Sequence, residues 1–324
     1  MDQQGRALRL GAWVILFAVM VKLSAAGFFQ PLKELFQNPK IQSFLVYIET
    51  GRHVRFSPSL EQISHSGESP PPEVTEEMTE LSLSADKVSI YDGLNLRPDV
   101  EKLLAEPLNW NLQGSEPTVL ILHTHATESY TKTNEKYLES SAFRTLDENY
   151  NMLSIGDRVA EVLSQKGISV IHDRELHDYP SYDGSYNHAR ASIAYYLKNY
   201  PSIQLVLDLH RDASGDLNNQ VRTFVSVEGR DSAQLMLVMG TDAGGLSHPN
   251  WQENLALGVK LQAVLEEIAP GITRSTILRS QRFNQDLSAG ALLVEVGSAG
   301  NSHSEALMAA EILAEAIALL ARGT

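Results

Sequence analysis

The sequence predicts an α/β fold with a mainly parallel β-sheet and helices on both faces, preceded by an N-terminal transmembrane helix and a linker. Three features lead to this prediction. Continuous apolar runs alternate with segments in which apolar residues recur at helical spacing. A long apolar run lies near the N-terminus, and a stretch rich in Pro, Ser and Glu follows it. Strands that alternate with helices of about ten or more residues indicate crossover connections, and therefore a mainly parallel sheet.

Six segments are predicted to be strands. Three of them are continuous apolar runs, which is typical of strands covered on both faces of a sheet. These three are Thr118–His123, Gln204–His210 and Ala291–Val296. The other predicted strands are Ile168–Ile171, Arg222–Glu228 and Leu235–Gly240.

Four segments carry apolar residues at helical spacing and are predicted to be helices. Gly167 follows the first, Pro201 the second and Pro270 the third, and both residue types end helices. The last segment is rich in Ala, Leu and Glu. The predicted helices cover residues 152–163, 189–200, Gln252–Ile268 and Ser304–Arg322.

The N-terminal run is expected to anchor the chain in a membrane. Residues 10–29 are apolar apart from Lys22, and a helix of this length spans the roughly 30 Å hydrocarbon core of a bilayer. Arg6 and Arg9 precede the run, so residues 1–9 are expected to form a cytoplasmic tail and the rest of the chain to lie outside the cytoplasm. Small residues near the end of the run leave a cleavable signal peptide as the alternative.

Residues 30–86 are expected to form a juxtamembrane segment and a disordered linker. From residue 57 onward Pro, Ser and Glu dominate, and so few apolar residues bury too little surface to offset the entropy of ordering. We predict that an extracytoplasmic domain covers residues 87–324, with 87–112 as a lead-in that packs on it.

The composition of the chain excludes several classes of partner and of chemistry. The chain of 324 residues carries a net charge of −14, which argues against a nucleic-acid partner because such a protein needs a basic surface. It contains no Cys, which excludes iron–sulfur clusters, disulfides and thiol nucleophiles. Any metal must therefore be held by His and carboxylate side chains.

Three of the predicted strands end in side chains that can bind metal or carry protons. The first runs into His123, His125 and Glu128, another contains His210 near its end, and the last contains Glu295. Ligands of open parallel sheets bind beyond the carboxyl ends of the strands. We therefore expect these residues, although distant along the chain, to meet in one crevice.

This combination of residues predicts zinc-assisted hydrolysis of an amide or ester. Two or more imidazoles and a carboxylate form an open catalytic zinc site with a position left for water. Zinc lowers the pKa of that water from about 15.7 to about 7 and polarises a carbonyl. Glu295 would take the proton of the water and pass it to the leaving amine. The alternatives are histidines that only hydrogen-bond a loop, and a salt bridge between Glu295 and Arg211.

Other enzyme classes fit less well. The sequence has no H-E-x-x-H, no G-x-S-x-G and no phosphate or dinucleotide loop. A TIM barrel typically needs about 250 residues, and only 208 remain from Pro117 onward. The Tyr-rich stretch at residues 177–190 is expected to be a substrate-facing or structural loop.

Five blocks of sequence, in this order, resemble the stage II sporulation protein P family over essentially the whole chain: LILHTHATESY, GDRVAEVLSQKGISVIHDRELHDYPSYDGSY, LVLDLHRDA, VMGTDAGGLSHPNWQENLALGVKLQ and RFNQDLSAGALLVEVGSAGN. The resemblance implies a cell-wall hydrolase of endospore-forming bacteria that acts in septal thinning and engulfment, anchored in the mother-cell membrane and facing the septum. It implies amidase and endopeptidase activity on peptidoglycan, and stage II sporulation proteins D and M as partners. A non-catalytic peptidoglycan-binding scaffold that recruits other wall hydrolases is the competing hypothesis.

The family is similar to the zinc-dependent N-acetylmuramoyl-L-alanine amidases, which implies an amidase-like fold, a Zn²⁺ cofactor and roles for particular residues. In these amidases a Glu in an E-x-G motif near the C-terminus is the catalytic base, and LVEVGSAGN matches it at Glu295. A later His ligand matches His210 in DLHRD. The first His ligand is His123 or His125, and counting from the strand end favours His125.

The comparison with amidases leaves the carboxylate ligand open. Glu128 is nearest in sequence, whereas Asp147 or Glu148, just before a helix, fits the amidase order better. Arg211 and Asn284 are expected to contact substrate.

Overall fold

The computed structural model describes residues 54–57, 83–108, 110–131, 143–215 and 219–323. The chain divides into two compact units, residues 1–56 and 57–324. The boundary between them along the sequence falls within strand β1 (Val54–Ser57). The predicted tail, the predicted transmembrane helix at 10–29 and nearly all of the predicted linker lie outside the described residues. No helix within the described ranges combines the length and the apolar character needed to cross a membrane.

The second unit is a mixed α/β fold, and seven of its strands form a mainly parallel sheet, as predicted. These strands are β2 (Ile90–Tyr91), β3 (Val119–Leu122), β4 (Val170–Asp173), β5 (Leu205–Asp212), β8 (Leu235–Gly240), β9 (Thr276–Arg279) and β10 (Ala291–Ser298). Their order in the sheet is β4–β3–β5–β10–β8–β9–β2. Only the β10–β8 pair is antiparallel, and the other five neighbouring pairs are parallel.

Two further strands, β6 (Phe224–Val227) and β7 (Arg230–Ala233), form a separate antiparallel hairpin. The predicted strand Arg222–Glu228 therefore exists as β6, but outside the main sheet. The short strands β2, β7 and β9 were not predicted, because β2 has only two residues and β7 (RDSA) and β9 (TILR) contain too few apolar residues to give a pattern.

All four predicted helices are present, and a short one, α1 (Val100–Ala105), precedes them. The four are α2 (Met152–Gln165), α3 (Ser185–Asn199), α4 (Trp251–Ile268) and α5 (His303–Arg322). The side chain of Asn151 accepts a hydrogen bond at the start of α2, and Ser302 and Glu305 form a capping box at the start of α5. Helix α3 begins earlier than predicted because its first turn is mostly polar.

The main core lies between one face of the sheet and helices α2, α4 and α5. Val119 and Ile121 of β3 belong to this core, whereas Leu120 and Leu122 are buried outside it, on the other face. Both faces of β3 are therefore covered, as its uninterrupted apolar run predicts. Burial of each such Leu or Ile side chain contributes about 1.5–3 kcal/mol. The lead-in also packs on this core, through residues such as Leu103 and Trp110.

His303, at the start of α5, makes the stability of the fold depend on pH. Its Nε2 atom lies 2.7 Å from the hydroxyl of Ser154, and its ring packs edge-on near that of Tyr150. Burial lowers the pKa of His303 to about 4. The folded protein therefore favours the neutral form of the His303 ring.

We expect His303→Gln to lose less stability than the wild type on acidification. The unfolded chain protonates its histidine near pH 6.5, whereas the folded chain does so near 4, so folding becomes less favourable as pH falls through this window. Between pH 7 and pH 5 the wild type should lose about 2 kcal/mol more than the variant. Urea unfolding of both chains at the two pH values measures this difference. Equal losses would show that His303 does not contribute to the pH dependence.

Candidate active site

His210 and Glu295 lie next to each other at the carboxyl edge of the sheet. They are direct partners in the register of the neighbouring parallel strands β5 and β10, and adjacent strands are about 4.8 Å apart. Residues 85 positions apart in sequence are thus brought together because both strands run in the same direction.

A β-bulge follows Glu295. The register of β10 against β5 gains one residue between Glu295 and Ser298. Within the bulge Gly297 has a φ of +68°, and a Cβ atom there would lie 2.7 Å from the Cβ of Ala233 and 2.9 Å from Oδ1 of Asn301. Glycine is therefore required two positions after the glutamate, which gives the E-x-G pattern a structural cause.

The loop after β3 is held in place by two buried carboxylates. Asp208 accepts hydrogen bonds from the backbone nitrogen (2.8 Å) and the hydroxyl (2.6 Å) of Thr124. Asp178 accepts hydrogen bonds from the hydroxyl (2.6 Å) and the backbone nitrogen (3.2 Å) of Thr127. These four bonds fix the segment that carries two of the candidate ligands.

Within this arrangement His125, Glu128 and His210 lie side by side. The two imidazole rings are 5.2 Å apart and nearly perpendicular. Nδ1 of His210 lies 3.8 Å from Oε2 of Glu128. The same carboxylate accepts a hydrogen bond from the backbone nitrogen of Arg211 at 3.3 Å. All three side chains are buried.

The Nε2 atoms of both histidines face neighbouring side chains. Nε2 of His125 lies 3.0 Å from the hydroxyl of Tyr182. Nε2 of His210 lies 2.9 Å from Oδ1 of Asp208, although the two are not aligned for a hydrogen bond. Nδ1 of His125 is buried and has no hydrogen-bond partner among the described residues.

The charges of the site attract a proton or another cation. Burial alone would lower the pKa of His210, but Asp208, Glu128 and Glu295 together raise it to about 9. Burial raises the pKa of Glu295 to about 8, and the positive charge of His210 opposes this effect. Oε2 of Glu295 is buried without a hydrogen-bond partner in the described part of the chain. Burial also raises the pKa of Tyr186, whose ring lies 5.5 Å from that of His125.

The donor types at this edge fit zinc, which binds two imidazoles and a carboxylate in catalytic sites. The unpaired buried Nδ1 of His125 fits the same reading, because buried polar atoms normally have partners. Across the described ranges, however, no three His, Asp or Glu side chains are already arranged to hold a metal ion. Tyr182 lies at Nε2 of His125, and Asp208 lies at Nε2 of His210.

His123, predicted as a possible ligand, lies elsewhere. Its Nδ1 is 3.0 Å from the carbonyl oxygen of Leu209, and its Nε2 is 2.9 Å from Nε2 of His172. It continues the alternation of β3 and faces the main core at Gly156 of α2. The chain leaves the strand just before His123 and turns. The side chain of His125 therefore lies beside His210 and not in the main core.

The structure also separates the candidate carboxylates. Glu128 lies beside His210, whereas the side chain of Glu148 is 58 % exposed and forms an ion pair with Arg174 at 2.6 Å. Asp147 accepts hydrogen bonds from the backbone and side chain of Asn149. Neither Asp147 nor Glu148 is brought to the two histidines by any contact within the described residues.

The two expected substrate-binding residues make contacts within the protein. The buried guanidinium of Arg211 donates hydrogen bonds to the carbonyl oxygens of Ser129 (2.6 Å) and Phe143 (2.8 Å). Asn284, at a φ of +60°, donates from its side chain to the carbonyl oxygen of Tyr186 at 2.8 Å. Arg211 thus fastens the loop that begins after β3, and Asn284 supports one of the aromatic residues of the site.

Sequence reasoning missed three residues that shape the site: Asp178, Tyr182 and Tyr186. All lie in the Tyr-rich stretch at residues 177–190, which was expected to be a substrate-facing or structural loop: Asp178 and Tyr182 lie between β4 and α3, and Tyr186 lies in the first turn of α3. The density of Tyr and Asp in a stretch that follows a buried strand was the available signal. Their individual contacts depend on how this loop folds back onto the loop after β3.

Comparisons with known proteins identify the family. Residues 37–318 match the family model described as Stage II sporulation protein P (SpoIIP). The chain therefore belongs to the stage II sporulation protein P family, as its sequence blocks predict. It is 26 % identical over 260 residues to the stage II sporulation protein P of Bacillus subtilis (strain 168). This match covers 76 % of the chain and spans 60 % of the length of that relative.

Among solved structures, the chain matches two amidases at low TM-score and low identity. One is the N-acetylmuramoyl-L-alanine amidase AmiC2 of Nostoc punctiforme, with a TM-score of 0.36 and 18 % identity, covering 63 % of this chain and 95 % of that one. Another is the N-acetylmuramoyl-L-alanine amidase from Clostridium difficile 630, with a TM-score of 0.35 and 18 % identity, covering 63 % and 94 %.

We expect Gly297→Ala to destabilise the protein by on the order of 1–3 kcal/mol, because the new Cβ meets both a positive φ and two close neighbours. Gly245→Ala is the matched control. Gly245 has a φ of +83° but open space where a Cβ would stand, so it should cost only the backbone strain, about 1 kcal/mol. Urea unfolding of both variants compares them. A Gly297→Ala cost no larger than that of the control would mean that the bulge tolerates a side chain.

Proposed function

We propose that this protein is a zinc-dependent hydrolase of amide bonds in peptidoglycan. More specifically, it would act as an N-acetylmuramoyl-L-alanine amidase and endopeptidase in septal thinning and engulfment during sporulation. The observation that carries the proposal is the grouping of His125, Glu128 and His210 at the carboxyl edge of the sheet, with Glu295 beside His210 on the next strand. Membership of the stage II sporulation protein P family supports the biological setting.

In this proposal His125, His210 and Glu128 hold the zinc ion. Zinc, when bound, polarises the carbonyl of the scissile amide and lowers the pKa of water. The acidic surroundings favour a cation there, because the same carboxylates raise the pKa of His210. Asp208 lies 2.9 Å from Nε2 of His210, on the ring nitrogen away from Glu128, a position that outer carboxylates commonly take beside ligand histidines.

Glu295 is proposed to move the proton. A carboxyl group with a pKa of about 8 is poised near neutral pH, so it can both accept and donate a proton. Its unpaired Oε2 can take a proton from the attacking water and deliver it to the nitrogen of the leaving amine. No hydrogen bond within the described residues has to be broken for Oε2 to do so.

The cellular setting is also part of the proposal. The apolar run at residues 10–29 supports a single-pass anchor in the mother-cell membrane, with the hydrolase domain facing the septum. The resemblance to the family supports stage II sporulation proteins D and M as partners. Arg211 and Asn284 would support the substrate site through the loops that they hold.

Metal content tests the ligand set. We expect the full chain in detergent to retain stoichiometric zinc after dialysis, and His125→Ala and His210→Ala to lose most of it, because each variant removes a ligand. His188→Ala, a change of an exposed histidine on α3, is the control and should keep the metal. His123→Ala should also keep it, with lower stability, because that ring is buried in the core. Plasma mass spectrometry gives the metal content, and zinc lost from His123→Ala but retained in His125→Ala would reverse the assignment.

Glu295→Gln tests the proton carrier. This variant should keep its zinc and release stem peptides from purified peptidoglycan at least about 100-fold more slowly, because the amide cannot accept the proton. Glu253→Gln, which changes an exposed carboxylate on α4, should be as active as the wild type. Chromatography of the released peptides measures the rate.

Unchanged turnover of Glu295→Gln would remove the proposed role of this residue. If the wild-type chain, loaded with zinc, sediments with wall material but releases no product, the protein is a peptidoglycan-binding scaffold instead.

A further inference from the structure

Tyr182 combines exposure with a contact to a buried ring. The tyrosine is 54 % exposed to solvent, whereas His125 is 6 % exposed. The two rings are stacked, with centroids 4.5 Å apart and an angle of 15° between their planes. In addition, the hydroxyl of Tyr182 lies 3.0 Å from Nε2 of His125. An exposed tyrosine keeps such a position only if other groups hold it.

Arg144 supports the ring of Tyr182. Its guanidinium carbon lies 4.8 Å from the centroid of the tyrosine ring, within the range of a cation–π contact. The guanidinium is itself fixed, because it donates hydrogen bonds to Asp178 at 2.7 Å and to the hydroxyl of Thr127 at 3.2 Å. The hydrogen bonds of Asp178 and Thr127, which hold the loop after β3, therefore also hold the guanidinium that supports Tyr182.

The contact between the two side chains distinguishes the two nitrogens of His125. In a neutral imidazole one nitrogen carries the proton and the other has the lone pair that can bind a metal. The contact at Nε2 fits either direction of the hydrogen bond; in the tautomer in which the hydroxyl of Tyr182 is the acceptor, Nε2 carries the proton and donates it. Nδ1 is then the nitrogen with the lone pair, and it is the atom that lies buried without a hydrogen-bond partner in the described residues.

We infer that Tyr182 is a positioning residue, which through its hydroxyl fixes the orientation and tautomer of His125 so that Nδ1 is the metal-binding atom. This inference rests on the proposed zinc site. Partners that hold the second nitrogen of a ligand histidine typically change metal affinity 10- to 100-fold when they are removed. Tyr182 is thus expected to matter for metal binding although it does not touch the metal itself.

Zinc affinity of Tyr182→Phe tests the inference, because this change removes the hydroxyl but keeps the ring that stacks on His125. Tyr179→Phe is the matched control, since Tyr179 belongs to the same loop and is also 54 % exposed. The full chain in detergent is titrated with zinc against a chromophoric chelator. Unfolding temperatures with and without zinc are measured alongside.

We expect Tyr182→Phe to bind zinc about 10- to 100-fold more weakly than the wild type, with an unchanged unfolding temperature of the metal-free chain. Tyr179→Phe should bind zinc as the wild type does. Wild-type affinity in Tyr182→Phe, or an equal loss in Tyr179→Phe, would overturn the positioning role and leave the zinc site standing. Failure of the unmodified chain to bind zinc would overturn both proposals.

A second measurement applies if Tyr182→Phe does not fold. Long-range ¹H–¹⁵N spectra of the zinc-loaded wild type, labelled at histidine, show which nitrogen of each ring carries a proton. His125 should have a protonated Nε2 and a metal-bound Nδ1. A metal-bound Nε2 would contradict the inference, because the hydroxyl of Tyr182 would then have been displaced.

Discussion

The candidate site depends on the pairing of two buried carboxylates with the loop after β3. Asp208 and Asp178 each accept two hydrogen bonds from a threonine of this loop, one from the backbone and one from the hydroxyl. Buried carboxylates are costly unless they are fully hydrogen-bonded, so the loop and the carboxylates stabilise each other. If either pairing were lost, His125 and Glu128 would no longer be held beside His210.

Buried carboxylates also determine the charge at the carboxyl edge of the sheet. Asp208, Glu128 and Glu295 surround His210 with negative charge, which favours a proton or a metal ion at this position, and Asp178 adds negative charge beside His125. Arg144 offsets part of this negative charge through its ion pair with Asp178. A surplus of acidic groups at the end of a parallel sheet is unfavourable for folding alone, and such perturbed groups cluster at functional sites.

The β-bulge after Glu295 shows how a short pattern can carry both structure and chemistry. Strand β10 delivers Glu295 beside His210, and the bulge at Gly297 then shifts the register by one residue. Because only glycine fits there, the pattern E-x-G is required by backbone geometry as well as by the proposed role of the glutamate.

The sequence by itself determined the alternation of strands and helices, the mainly parallel sheet, and the proximity of His210 and Glu295. These follow from local apolar periods and from strand direction, both of which can be read along the chain. Only the tertiary structure separated His123 from His125, placed Glu128 rather than Asp147 or Glu148 beside His210, and stacked Tyr182 on His125. Such choices depend on where β3 ends and how two loops fold onto each other, and no periodic pattern records the direction in which a side chain points after a strand has ended.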